Sequence, residues 1–151
     1  MTVHRQFKKS ASIKEIHAFT RKTTTARPLF LSGVSAGFPS PADDYLDRKL
    51  DLNEHLIKNP AATFFVRVAG DSMTGTGIND DDILIVDRSL EPVSGSIVIA
   101  VINGELAVKR LLKNNNTCQL VAENPHYPPL EISEDTPLKI WGVVTYAIHR
   151  L

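Results

Sequence analysis

Ile97-Val98-Ile99-Ala100-Val101-Ile102-Asn103-Gly104-Glu105-Leu106-Ala107-Val108-Lys109-Arg110-Leu111-Leu112 is the stretch that decides the fold. Asn-Gly between two apolar runs predicts a two-residue type I′ hairpin, because both central residues need positive φ and Asn and Gly tolerate it best. Working upstream, Ile83-Leu84-Ile85-Val86 reads as another strand. So do residues 63–68, with Phe64, Val66 and Val68 on one face and Phe65 and Arg67 on the other. Gly70-Asp71-Ser72-Met73 breaks that strand into a turn. Downstream, residues 117–122 and 140–148 supply further strands. Short strands separated by turn signals predict a mainly β domain.

The N-terminal third reads differently. Residues 43–59 look helical or turn-like: Leu46 and Leu50 stand four apart, Asp51 and Glu54 fit a capping box, and Pro60 ends the segment. Residues 32–41, Ser-Gly-Val-Ser-Ala-Gly-Phe-Pro-Ser-Pro, predict an extended, accessible loop. Residues 1–27 have sparse apolar positions and predict a flexible arm.

The chain has 151 residues, 42% of them hydrophobic and 23% charged, the size and composition of one soluble domain. Its longest aliphatic run, Ile97–Ile102, falls far short of the ~18–20 residues that span a bilayer. The charge-dotted start does not read as a signal peptide, so a cytosolic location and no membrane association are expected. The one cysteine, Cys118, has no intramolecular disulfide partner, and no Cys/His spacing predicts a metal or cofactor. Seventeen basic residues balance seventeen acidic ones, but residues 1–27 hold seven basic residues against the single acid Glu15. A basic arm is either a solvated tail or a contact with nucleic acid or a nucleoprotein. The acidic body argues against broad direct DNA binding.

Ser72 sits in a glycine-flanked turn, with Gly70 before it and Gly75 and Gly77 after it. Such a turn exposes a hydroxyl and leaves backbone N–H groups to face a ligand, as an acyl-transfer nucleophile and its oxyanion hole require. A plain turn serine has the same setting. None of the five histidines, His4, His17, His55, His126 and His149, stands where a triad is evident. Lysine is the other possible base, provided that burial strips its charge. Lys109 is the candidate, on a strand face with Ala107 and Leu111 at i−2 and i+2. A lysine that snorkels out at a sheet edge would have the same pattern. Arg110 faces the other way and cannot serve, because guanidinium keeps its proton.

Together these residues resemble a known group. Gly70-Asp71-Ser72-Met73, the turn with Ile78, Asp80 and Asp82, the strand ending at Asp87, and Ala107-Val108-Lys109-Arg110-Leu111 are similar to the LexA/UmuD group of self-cleaving Ser–Lys proteases. Ala36-Gly37-Phe38-Pro39-Ser40-Pro41, Asp51-Leu52-Asn53, Asn59-Pro60-Ala61-Ala62-Thr63 and Trp141-Gly142-Val143-Val144 extend the likeness toward its UmuD branch. The resemblance implies a β-rich LexA/signal-peptidase-like domain over residues 37–151, and an arm, residues 1–36, removed by self-cleavage at Ala36-Gly37. It implies Ser72 as nucleophile, Lys109 as general base, and the backbone N–H groups of Asp71 and Ser72 as oxyanion hole. It also implies a homodimer, cleavage stimulated by a RecA–single-stranded DNA filament in the SOS response, and a product that joins a UmuC-type Y-family polymerase in error-prone translesion synthesis.

The 36 residues before the cleavage position show no paired helical pattern, which disfavours a LexA-like DNA-binding repressor. The arm looks longer and more basic than is usual in the UmuD branch. A signal peptidase is disfavoured because Gly75 stands where that family places proline. The non-enzymatic alternative is a β-rich partner-binding module, with Ser72 and Lys109 structural. Cys118 and Trp141 are expected as core residues, and His126-Tyr127-Pro128-Pro129 as a rigid loop.

Overall fold

The computed structural model describes residues 11–20, 26–30, 46–133 and 135–151. In chain order its strands are β1 (Ser12–Ala18), β2 (Ala26–Phe30), β3 (Leu46–Asp51), β4 (Thr63–Ala69), β5 (Ile83–Asp87), β6 (Ile97–Ile102), β7 (Glu105–Lys113), β8 (Cys118–Val121), β9 (Leu130–Ile132) and β10 (Leu138–Ile148). One short helix, α1 (Leu52–Leu56), and 3-10 turns at Pro60–Ala62 and Thr74–Thr76 complete the described elements. The domain is mainly β, as the strand pattern predicts.

The hairpin forms where Asn103-Gly104 predicts it. Both residues have positive φ, 50° and 81°, and β6 pairs with β7 in register from Ile97↔Arg110 to Ile102↔Glu105. A side chain at Gly104 would meet no atom within 4 Å, so its requirement for glycine is conformational rather than steric. Gly104→Val is therefore expected to cost about 1–2 kcal/mol. Thermal unfolding should show this as a drop of about 2–4 °C per kcal/mol.

The main sheet runs β1-β4-β5-β10-β6-β7-β8-β9, antiparallel throughout, and β7 also meets β1. Six strands thus close a barrel, and β8 and β9 continue the sheet beyond it. The barrel interior holds Val66, Val68, Leu84, Val86, Ile99 and Val108, all fully buried. Val98, Ala100, Leu111 and Leu120 form a second core on the other face of the β6–β7 hairpin. Because β6 is buried on both faces, its sequence is an unbroken apolar run rather than an alternating one. Cys118 and Trp141 are only partly buried and pack at the edges of these cores.

Three parts of the chain differ from expectation. Of the segment 43–59, read as helical or turn-like, Leu46–Asp51 is a strand paired with β2, and a helix of five residues, Leu52–Leu56, follows. Leucines four apart suit a strand face as well as a helix face, since four is a multiple of both periods to within rounding. The cap does form at Asp51, whose carboxylate accepts the N–H of Asn53 at 2.9 Å. Leu130–Ile132, right after the His126–Pro129 loop, is a ninth strand that the sequence pattern did not suggest.

The third difference concerns the arm. Within residues 1–27, Ser12–Ala18 is an ordered strand of the main sheet, paired with β4. Its register shifts between Ile13 and Glu15, so Lys14 is an extra, bulged residue. The bulge lets Ile13 pair with Val68 and Ile16 with Val66, two positions apart on β4 although three apart on β1. Ala36 and Gly37 lie outside the described residues.

Candidate active site

Ser72 follows β4, which ends as the chain turns at Gly70, φ 98°. The turn is stapled to the segment leading into β5: the Gly70 N–H donates to the Asp80 carboxylate at 2.8 Å, and the Asp81 N–H donates to the Val68 carbonyl at 2.9 Å. Behind the serine, Met73 drives its side chain into the barrel core and is fully buried. Gly75 then donates its N–H to the Glu123 carbonyl at 2.7 Å, tying the turn to the segment after β8. Among the described residues, nothing accepts the N–H groups of Asp71 and Ser72, the pair expected to form an oxyanion hole.

The Ser72 hydroxyl is fully buried, and its Oγ accepts the backbone N–H of Ala11 at 2.8 Å. The Ala11 carbonyl accepts the N–H of Val108 at 3.3 Å. One residue therefore bridges the serine turn and the strand that carries Lys109.

Lys109 lies on β7, opposite Val98 across the ladder and on the face of Ala107 and Leu111, as its spacing predicts. It is half-buried, and loss of water around the ammonium pushes its pKa below the ordinary lysine value. Lys109 also lines an open groove of about 980 Å³ between residues 11–16 and residues 102–107. Arg110 points away, as expected, and is held by the Glu123 carboxylate and by the Gly95 carbonyl at 2.6 Å.

A second bridge comes from Tyr127. Its hydroxyl donates to the Asp71 carboxylate at 2.6 Å, and its ring centroid stands 5.8 Å from the Lys109 Nζ. Partial burial and then the Asp71 carboxylate push the phenol up to about 12, so it remains a donor. The Asn124 turn presents it: the Asn124 side chain donates to the Asp71 carbonyl at 2.9 Å and accepts the His126 N–H at 3.0 Å. Among the described residues, Ala11, Glu123 and Asn124 touch the site although no motif named them, and Tyr127, read only as part of a rigid loop, joins them. The His126-Tyr127-Pro128-Pro129 loop is the local signal for Tyr127, and nothing local marks Ala11.

Residues 28–145 match the Peptidase S24-like family. The chain belongs to that family. It is 49% identical over 123 residues to Protein SamA of Salmonella typhimurium strain LT2, covering 82% of this chain and 85% of that protein. It is 46% identical over 122 residues to Protein MucA of Escherichia coli, covering 80% of this chain and 83% of that protein. It is also 37% identical over 99 residues to the LexA repressor of Shewanella denitrificans, covering 66% of this chain but 48% of the repressor. The LexA/UmuD resemblance read from the motifs is thus one of family, and the S24 chain is of serine-peptidase kind. No helix among the described residues is long and apolar enough to cross a membrane.

Proposed function

We propose that this S24 chain is a UmuD-type protein of SOS mutagenesis that cuts itself once, between Ala36 and Gly37. Ser72 is the nucleophile and Lys109 its base. The neutral Lys109 amine takes the hydroxyl proton as Ser72 Oγ bonds to the Ala36 carbonyl carbon. The N–H groups of Asp71 and Ser72 receive the oxyanion. Collapse breaks the C–N bond, and the protonated lysine returns its proton to the leaving Gly37 amine. Water, deprotonated by the same lysine, then hydrolyses the acyl-enzyme.

The observation that carries this reading is the partly desolvated lysine, linked to the serine turn through both Ala11 and Tyr127. An amine kept in water would hold its proton at neutral pH and could not act as a base. Because the scissile segment shares the chain or the dimer with the dyad, high effective molarity offsets modest intrinsic reactivity.

A RecA–single-stranded DNA filament stimulates the cut by favouring the conformer in which the cleavage segment reaches Ser72. The product, residues 37–151, acts as a homodimer in the cytosol and joins a UmuC-type Y-family polymerase for translesion synthesis. Mass spectrometry after incubation with RecA, an ATP analogue and single-stranded DNA checks this. The expected product begins at Gly37. A chain that stays whole, or one cut elsewhere, overturns the assignment.

A further inference from the structure

The proposed nucleophile already carries a hydrogen bond from the backbone nitrogen of Ala11, at 2.8 Å from Oγ. We propose that residues 11–18 form a resident plug: β1 holds the Ala11 N–H on the Ser72 hydroxyl and must peel away before self-cleavage. The proposal rests on Ser72 being the nucleophile and names the regulation of that site.

The contact is unproductive by its chemistry. A carbonyl carbon under attack must come within about 3–3.5 Å of the oxygen. The Ala11 N–H already occupies that side of the oxygen and engages one of its two lone pairs. The carbonyl of Ala11 accepts from Val108, so it is not presented to the N–H groups of Asp71 and Ser72. Ala11 itself is 1% exposed and Ser72 0%, so the contact is closed to water. The segment blocks the nucleophile without offering a bond to cut.

Along β4 the plug is paired from Ser12↔Ala69 to Ala18↔Phe64, but elsewhere it is lightly held. Its pairing with β7 is confined to Ser12↔Ala107, beyond which the groove opens. Its ion pairs are on the surface: Lys14 with Asp81 at 3.4 Å and with Asp80 at 3.8 Å, and Glu15 with Arg67 at 3.5 Å. Exposed pairs contribute little each and yield to salt or to a competing partner. Ile16 remains 38% exposed, so the apolar anchor is partial as well.

Two variants of the full chain test this. Ala11→Pro removes the N–H that caps Ser72. Lys14→Glu sets a carboxylate against Asp80 and Asp81 at an exposed position, and Lys14→Arg keeps the pairing. Hydrogen exchange at the Val108 amide reports release of the strand, and mass spectrometry at pH 7 without filament reports cleavage after Ala36. Both disruptive variants should exchange Val108 faster and cut about two- to tenfold faster, while Lys14→Arg matches the parent. A loosened strand with an unchanged cleavage rate overturns the plug alone. So does a product beginning at Ser12, which would make the segment a substrate, and so does a strand that neither variant loosens. If no chain cuts at pH 7, at pH 10 or with filament, the nucleophile assignment falls and the plug with it.

Discussion

Lys109→Ala is expected to slow self-cleavage by about 10²–10⁴-fold, the range that a positioned general base supplies. Lys109→Arg should be as slow. It keeps the positive charge and much of the length, but guanidinium does not give up its proton in a protein. The pair therefore separates a base from a mere cation, and Ser72→Ala sets the floor. Rates are read from the disappearance of the intact mass.

The parent chain should also speed up with pH. Desolvation lowers the Lys109 pKa, and the neutral amine is the active form in the proposed mechanism. The rate should climb through that lowered pKa and level off above it, with no filament required. A flat rate between about pH 7 and pH 10 would contradict this, because lysine at its ordinary ~10.4 is the upper end of that climb. The same shift affects stability. The folded state disfavours the charged lysine, so the cost is full below the lowered pKa. It fades as pH rises and is gone above the ordinary lysine value.

Gly75→Ala is the second large effect. A β-carbon at residue 75 would lie 2.5 Å from the Glu123 carbonyl oxygen, the atom to which the Gly75 N–H donates. That oxygen belongs to the backbone and cannot swing aside, so the turn or the segment after β8 must move. Overpacking of this kind costs about 1–3 kcal/mol. The displaced turn begins three residues after the proposed nucleophile, and misplacement near 1 Å can cost about 10²-fold in rate. A lower melting temperature together with a slower cut is expected. A variant that melts and cuts like the parent would show that the turn has slack there.

How much of the fold and site is legible in the sequence depends on distance along the chain. The β6–β7 hairpin and the glycine-flanked serine turn are specified by neighbouring residues, and both stand where the pattern puts them. The face of Lys109 follows from period-two spacing alone. Its partial desolvation does not, since that depends on residues brought in from elsewhere, Tyr127 among them. β1 is hidden for two reasons. The bulge at Lys14 spoils the alternation of Ile13 and Ile16, and the partner strand β4 lies some fifty residues away. Tyr127 is hidden because Asp71, which gives it a role, is 56 residues distant. The β2–β3 ribbon escapes the pattern because leucines four apart do not distinguish the two periods.

The closing position of β1 in the barrel separates two events that are easily taken as one. Scission after Ala36 would remove no residue of the ladder that binds β1 to β4, so a strand that peeled away for the cut could pair again. The nicked protein would persist as a non-covalent complex of two fragments, whole on a native gel and divided on a denaturing one. Only unzipping of that ladder would bare the borders of β4 and β7. The lifetime of the nicked complex, rather than the chemistry, would then time the hand-over to a partner.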